Sequence, residues 1–99
     1  MNRIKYKSPH KDAVALAKAH PLYEQYAKEA RARILLATEI YQARIKKGLS
    51  QEALAKNIAT TQKVISKVEN GEVNVGIDLI FRLVQALDIK LQLGKTALL

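Results

Sequence analysis

Residues 49–71 read LSQEALAKNIATTQKVISKVENG, and the fold turns on them. Two short amphipathic segments lie on either side of Ala59-Thr60. In the first, Ser50 is a ready N-cap, and Leu49 before it is placed to staple onto Leu54. Ala53 stands where a capping box needs Glu, so the box is absent. Leu54, Ala55 and Ile58 form one apolar stripe. In the second segment Thr61 is the cap, Ile65 and Val68 point inward, and Gly71 ends the helix after Asn70. Gln62 and Lys63 fill its first turn, with Ser66 and Lys67 one turn later, so the four share an outward face.

On either side the pattern stays helical. Upstream, Leu22, Tyr26, Ala30, Ile34, Ala37, Tyr41 and Ile45 recur every three or four positions, which predicts a helix from about 22 to 47. Lys46 and Lys47 suit its last turn and Gly48 its end. A shorter helix is expected from Pro9, with Ser8 as its cap, to about Ala19, where Pro21 breaks it. Downstream, Gly76 precedes IDLIFRLVQAL, a helix with Ile77, Ile80, Phe81, Val84 and Leu87 on one stripe and Leu79 and Leu83 on another. Residues 89–93, IKLQL, alternate as a half-buried strand does. The chain offers that strand no second strand, and a lone one is unstable in water. It is therefore expected to pair with the same strand of a twofold-related copy, with Leu79, Leu83, Ile89, Leu91 and Leu93 at the dimer interface. The GKTALL that follows reads as a frayed end.

Two short helices joined by a tight turn, with flanking helices to complete the core, make a helix-turn-helix. The second helix places its N-terminal residues near base edges in the major groove. The fold class expected is all-α, a helix-turn-helix domain with an N-terminal helical extension and one short C-terminal strand. The divisions are 1–33 for the extension, 34–88 for the helix-turn-helix domain and 89–99 for the strand and tail.

Composition agrees with a nucleic-acid partner. The chain has 99 residues, with 17 Lys and Arg against 9 Asp and Glu, a net charge of +8. Such a balance favours anionic partners. There is no Cys, hence no disulfide and no thiolate metal site. His10 and His20 stand alone, which leaves no metal spacing and no implied cofactor. No serine has a His and carboxylate set suggesting a triad, and no glycine-rich phosphate loop is present, so nothing points to an enzyme. No run approaches a membrane span, and the expected location is cytoplasmic.

The stretch Leu49 to Gly71 resembles the helix-turn-helix of the Cro/C1-type (XRE) regulators. The matching features are Leu49-Ser50-Gln51, Leu54-Ala55, Ile65-Ser66 and Glu69-Asn70-Gly71, followed by ALDIKLQL from Ala86 to Leu93. The resemblance covers about 40–93 and implies a lambda-repressor-like fold. It implies that Gln51 binds phosphate and that Gln62, Lys63, Ser66 and Lys67 contact bases or phosphate, with Asn70 a further phosphate candidate. Thr61, at a helix N-terminus, and Arg44, Lys46, Lys47 and Lys56 complete the phosphate set. Two positions depart from the family pattern: Ala59 stands in the turn and Asp88 after the last helix, where Gly is usual.

The wider layout is similar to HigA-type antitoxins of type II toxin–antitoxin modules. That resemblance implies an mRNA-cleaving RelE-like (HigB-like) toxin as partner and repression of the module's own promoter. Leu16, Leu22, Tyr23 and Tyr26 are the toxin-binding candidates in the extension. RelE-like toxins are usually basic, whereas residues 1–33 hold eight Lys/Arg against three Asp/Glu, and charge complementarity predicts the reverse. The alternatives are a stand-alone XRE repressor without a toxin, a module that mainly binds protein, and a non-specific DNA binder driven by charge. A dimeric regulator would read a palindrome with half-sites about 34 Å apart.

Overall fold

The computed structural model describes residues 9–72 and 74–99. Along them run α1 (Pro9–Lys18), α2 (Tyr23–Lys46), α3 (Gln51–Asn57), α4 (Gln62–Glu69) and α5 (Ile77–Ala86), then β1 (Gln92–Leu93) and β2 (Thr96–Ala97). Ser8, the expected cap of the first helix, lies outside the described residues. Pro21 separates α1 from α2, and the corner is held by the Leu22 amide donating to His20 Nδ1 at 3.0 Å. No helix among the described residues is long and apolar enough to cross a membrane.

The core is built from a few side chains on each of α2 to α5. Ile40 of α2, Leu54, Ala55 and Ile58 of the α3 region, Ile65 and Val68 of α4, and Leu83 and Leu87 of the α5 region form one buried cluster. Fully burying each of the large ones stabilises the fold by roughly 1.5–3 kcal/mol. Leu49 packs on this cluster, as its staple position requires.

The face of α2 that enters the core is Ala37, Ile40 and Arg44. The apolar recurrence seen in the sequence locates the helix but not this face. Of its members only Ala37 is buried; Leu22, Tyr26, Ile34, Tyr41 and Ile45 stay half exposed or more. The helix carries two apolar sets, and only its C-terminal half meets α3, α4 and α5. No described residue before Ala37 is fully buried.

On α5 both stripes supply the core: Val84 and Leu87 of the first are buried, and so is Leu83 of the second. Leu83 is completely buried in the chain's own core, and Leu79 packs against it, so Leu83 has no surface to offer a partner copy. Ile77, on the stripe expected to face inward, is 62% exposed, and Phe81 is exposed beside it. The core lies between the two stripes and takes the C-terminal members of both.

The strand expectation needs a larger correction. β1 finds its partner inside the chain, pairing antiparallel with β2 in the register Gln92↔Ala97 and Leu93↔Thr96. The Leu98 amide extends the ladder by donating to the Leu91 carbonyl at 2.8 Å. The residues read as a frayed end supply the turn and the second strand. Gly94-Lys95 is the two-residue loop, with Gly94 at φ +59°, the positive value that a Gly-X hairpin turn takes at its first position. Leu93 is exposed, and Ile89 packs on the core.

Four helices end in the same way. After α2, α3, α4 and α5 the chain enters the left-handed region at Gly48, Ala59, Gly71 and Asp88. In each case the next amide reaches back to the last turn: Leu49 to Arg44, Thr60 to Ala55, Glu72 to Lys67 and Ile89 to Val84. These are Schellman caps, which satisfy carbonyls that the helix leaves open. Two of them lack glycine, and they fall at the two positions where the sequence departs from the family pattern. For a side chain with a Cβ this conformation costs about 1–2 kcal/mol. At Asp88 the Lys47 ammonium compensates, pairing with the carboxylate and donating to the Ala86 carbonyl at 3.0 Å. Ala59 has no comparable support among the described residues. Ala59→Gly is therefore expected to raise stability by about 1 kcal/mol. Thermal unfolding checks it: the midpoint should rise by about 4–8 °C, and no rise would show that the turn is unstrained.

Candidate nucleic-acid interface

The two short helices are set against each other by their caps. Ser50 Oγ accepts from the Ala53 amide at 3.0 Å, and Thr61 Oγ1 accepts from the Val64 amide at 3.2 Å. The tight turn at Ala59 brings α4 across α3, and Arg82 of α5 braces it by donating to the Ile58 carbonyl at 3.0 Å. Ile65 and Val68 are buried beneath α4. On its other side Gln62, Lys63, Lys67 and Asn70 are exposed, while Ser66 is half-buried at the edge of that face. Of the phosphate candidates, Lys46 and Lys56 are exposed and form no ion pair among the described residues. Thr61 is exposed, its oxygen engaged as the cap and its hydroxyl hydrogen still free to donate.

Beneath this face runs a chain of polar contacts. The Arg44 guanidinium is forked onto Glu69, with Nε to Oε2 at 2.6 Å and Nη2 to Oε1 at 2.9 Å. Its Nη1 donates to the Leu49 carbonyl at 2.8 Å. The two side chains are only 9% and 4% exposed. Hydrogen bonding to Glu69 holds the Arg44 pKa above its usual value, more than desolvation lowers it, so Arg44 stays charged at any pH the fold meets. Arg44 was expected to neutralise phosphate. Buried and paired, it leaves the phosphate set and becomes a structural cation. Lys47, tied to Asp88 and Ala86, is likewise engaged within the fold.

Gln51 continues the chain: its Nε2 donates to Glu69 Oε1 at 3.2 Å, and its Oε1 accepts from Gln62 Nε2 at 3.1 Å. The direction follows from the chemistry. An ionised carboxylate only accepts, so Gln51 turns its NH2 towards Glu69 and its carbonyl towards Gln62. Gln62 then donates one N–H inward, and keeps its Oε1 and its second N–H for something else. A free acceptor beside a free donor on one amide is the pair that adenine N6 and N7 require in the major groove. Sequence reasoning found Gln51 and Gln62 separately. It missed Glu69 as their anchor, because a contact between positions 44 and 69 has no local signal.

The structure also places the candidates in the N-terminal extension. Leu16, Tyr23 and Tyr26 come together with Ala17, His20 and Ala27 in one apolar concavity between α1 and α2. Leu22 is half exposed and is not among these lining residues. No group of three or more His, Cys, Asp or Glu among the described residues is arranged to hold a metal ion.

Comparison with protein families matches residues 40–93 to the family described as Helix-turn-helix (HTH_3), the Cro/C1-type group. The chain belongs to that helix-turn-helix family. The match spans more than half of the sequence and takes in the C-terminal end of α2 from Ile40, all of α3 to α5, and β1. It is a family of DNA-binding transcription regulators rather than of enzymes. Curated proteins and solved structures gave no match.

Glu69→Ala leaves the Arg44 charge buried and unpaired. The expected cost is about 3–5 kcal/mol, the usual range when one partner of a buried pair is removed. Chemical denaturation measures it. A loss below 1 kcal/mol would mean that water reaches the guanidinium and that the pair does not organise the site.

Proposed function

We propose that this helix-turn-helix protein is a sequence-specific regulator that binds a palindromic operator as a homodimer, with α4 in the major groove. The observation that carries the reading is the Gln62 amide. Its orientation is set from within the protein, and its outward donor and acceptor match adenine. Lys63 and Lys67 stand beside it to reach guanine or phosphate, and Ser66 is at the margin. Gln51, with one N–H committed to Glu69, keeps the other for a phosphate oxygen. Thr61, Asn70, Lys46 and Lys56 add the salt-dependent part. Two copies are proposed to meet through the exposed Ile77 and Phe81 of α5 and Leu93 of the hairpin. Residues 77–93 carry two cationic and two anionic side chains, so copies of this basic chain can approach there with little repulsion.

A second reading adds the antitoxin role: neutralisation of a RelE-like toxin by the extension, and repression of the protein's own promoter. What favours it is the meeting of Leu16, Tyr23 and Tyr26 in one apolar concavity far along the chain from α4.

The DNA reading is tested on the duplex just upstream of the gene, against a scrambled duplex, at about 150 mM salt. Gln62→Ala is expected to weaken specific binding by about 10–100-fold and to leave non-specific binding nearly unchanged. Equal losses on both duplexes would remove Gln62 as a base reader. Lys46→Ala is expected to weaken binding to every sequence alike and to reduce the salt slope by about one. An unaltered slope would take Lys46 out of the phosphate contacts.

A further inference from the structure

The chain has four asparagines, and one of them precedes glycine: Asn70-Gly71. A peptide nitrogen can attack the side-chain amide of the asparagine before it, and glycine, with no Cβ, leaves that nitrogen unshielded. Asn57 and Asn74 are also exposed, but Ile58 and Val75 follow them, and a β-branched neighbour obstructs the same attack.

Asn70 is exposed and forms the C-cap of α4. In the folded chain the attack is held off. Asn70 has ψ −3°, which keeps the Gly71 nitrogen out of the plane that a five-membered imide ring needs. The Gly71 amide donates its hydrogen to the Val68 carbonyl at 3.0 Å, and the Glu72 amide returns to the Lys67 carbonyl at 3.0 Å. Both bonds close the last turn of an eight-residue helix, and helix ends open at the lowest cost.

We propose that Asn70 is a site of spontaneous deamidation, gated by the C-cap of α4, and that its acidic product weakens the proposed DNA-reading face. When the cap opens, the Gly71 nitrogen loses its proton and bonds to Asn70 Cγ. The Cγ–Nδ2 bond breaks, and the side-chain nitrogen takes that proton and leaves as ammonia. Water then adds to either carbonyl of the imide and opens it to aspartate or to isoaspartate. Either product puts a carboxylate one turn beyond Lys67 and two turns beyond Lys63, on the face proposed to meet phosphate. It also sets a negative charge at the negative end of α4. Isoaspartate lengthens the backbone at the cap as well, so the two returning amides lose their register. The loss of binding rests on the DNA reading; the chemistry at Asn70 does not.

The experiment holds the full chain in mildly alkaline buffer, folded and in urea, and follows each asparagine by peptide mapping with mass spectrometry. Product is expected at Asn70 and not at Asn57 or Asn74, and at least about tenfold more slowly in the folded chain than in urea. Asn70→Gln, whose cyclic imide is a slower-forming six-membered ring, should yield none. Asn70→Asp, made directly, is expected to bind the upstream duplex at least about tenfold more weakly, with a salt slope lower by about one. Equal rates in the folded and unfolded chain, no product at Asn70 in the folded chain, or undiminished binding by Asn70→Asp would overturn the proposal. If the unaltered chain binds neither duplex, the DNA reading fails instead, and the mass readout still decides the chemistry at Asn70.

Discussion

A single buried ion pair ties this fold to its site. Arg44 belongs to the long helix α2, and Glu69 closes α4, the helix proposed to read DNA. Their forked contact brings α2 onto α4 and fixes the rotation of α4 about its axis. Taking two charges out of water is expensive, and hydrophobic residues of similar volume would often serve stability as well. What an apolar pair would not supply is direction. Glu69 can only accept, and that single fact orders the donors and acceptors of Gln51 and Gln62 in turn. The packing of the domain and the polarity of its proposed reading face thus depend on the same carboxylate.

The helix ends show a second constraint. Each turn in the domain is made by a left-handed residue followed by an amide that returns to the last helical turn. Where that residue is glycine, the geometry is nearly free. Where it is Ala59 or Asp88, the chain holds a conformation that its side chain resists, so packing on both sides must impose it. Asp88 has local help from Lys47. Ala59 depends on Leu54, Ile58 and Ile65 being buried together, which makes the tight turn a consequence of the core rather than its cause.

Much of this was legible in the sequence, for identifiable reasons. Caps at Ser50 and Thr61, the glycine ends and the existence of all five helices follow from local chemistry, which acts over three or four residues. The buried face of α2 was not legible, and that of α5 only in part: Val84 and Leu87 are inside as expected, but Leu83 joins them from the other stripe, because periodicity does not say how wide a face finds company. The hairpin was missed because Thr96–Ala97 is two residues long and lacks apolar alternation; Gly94 was its one local signal. Arg44 was misread for a different reason. A cation near a helix C-terminus suits phosphate or dipole, and only the fold reveals a carboxylate 25 positions away.

The polar chain from Arg44 to Gln62 is graded from inside to outside. At the inner end Arg44 and Glu69 are buried; at the outer end Gln62 is exposed and holds one side-chain hydrogen bond to the protein. The side chain best placed to choose a base is thus the one whose replacement costs the fold least. A lineage could change its operator at that position while the rest of the chain stayed fixed, and drift in recognition would leave no trace in stability.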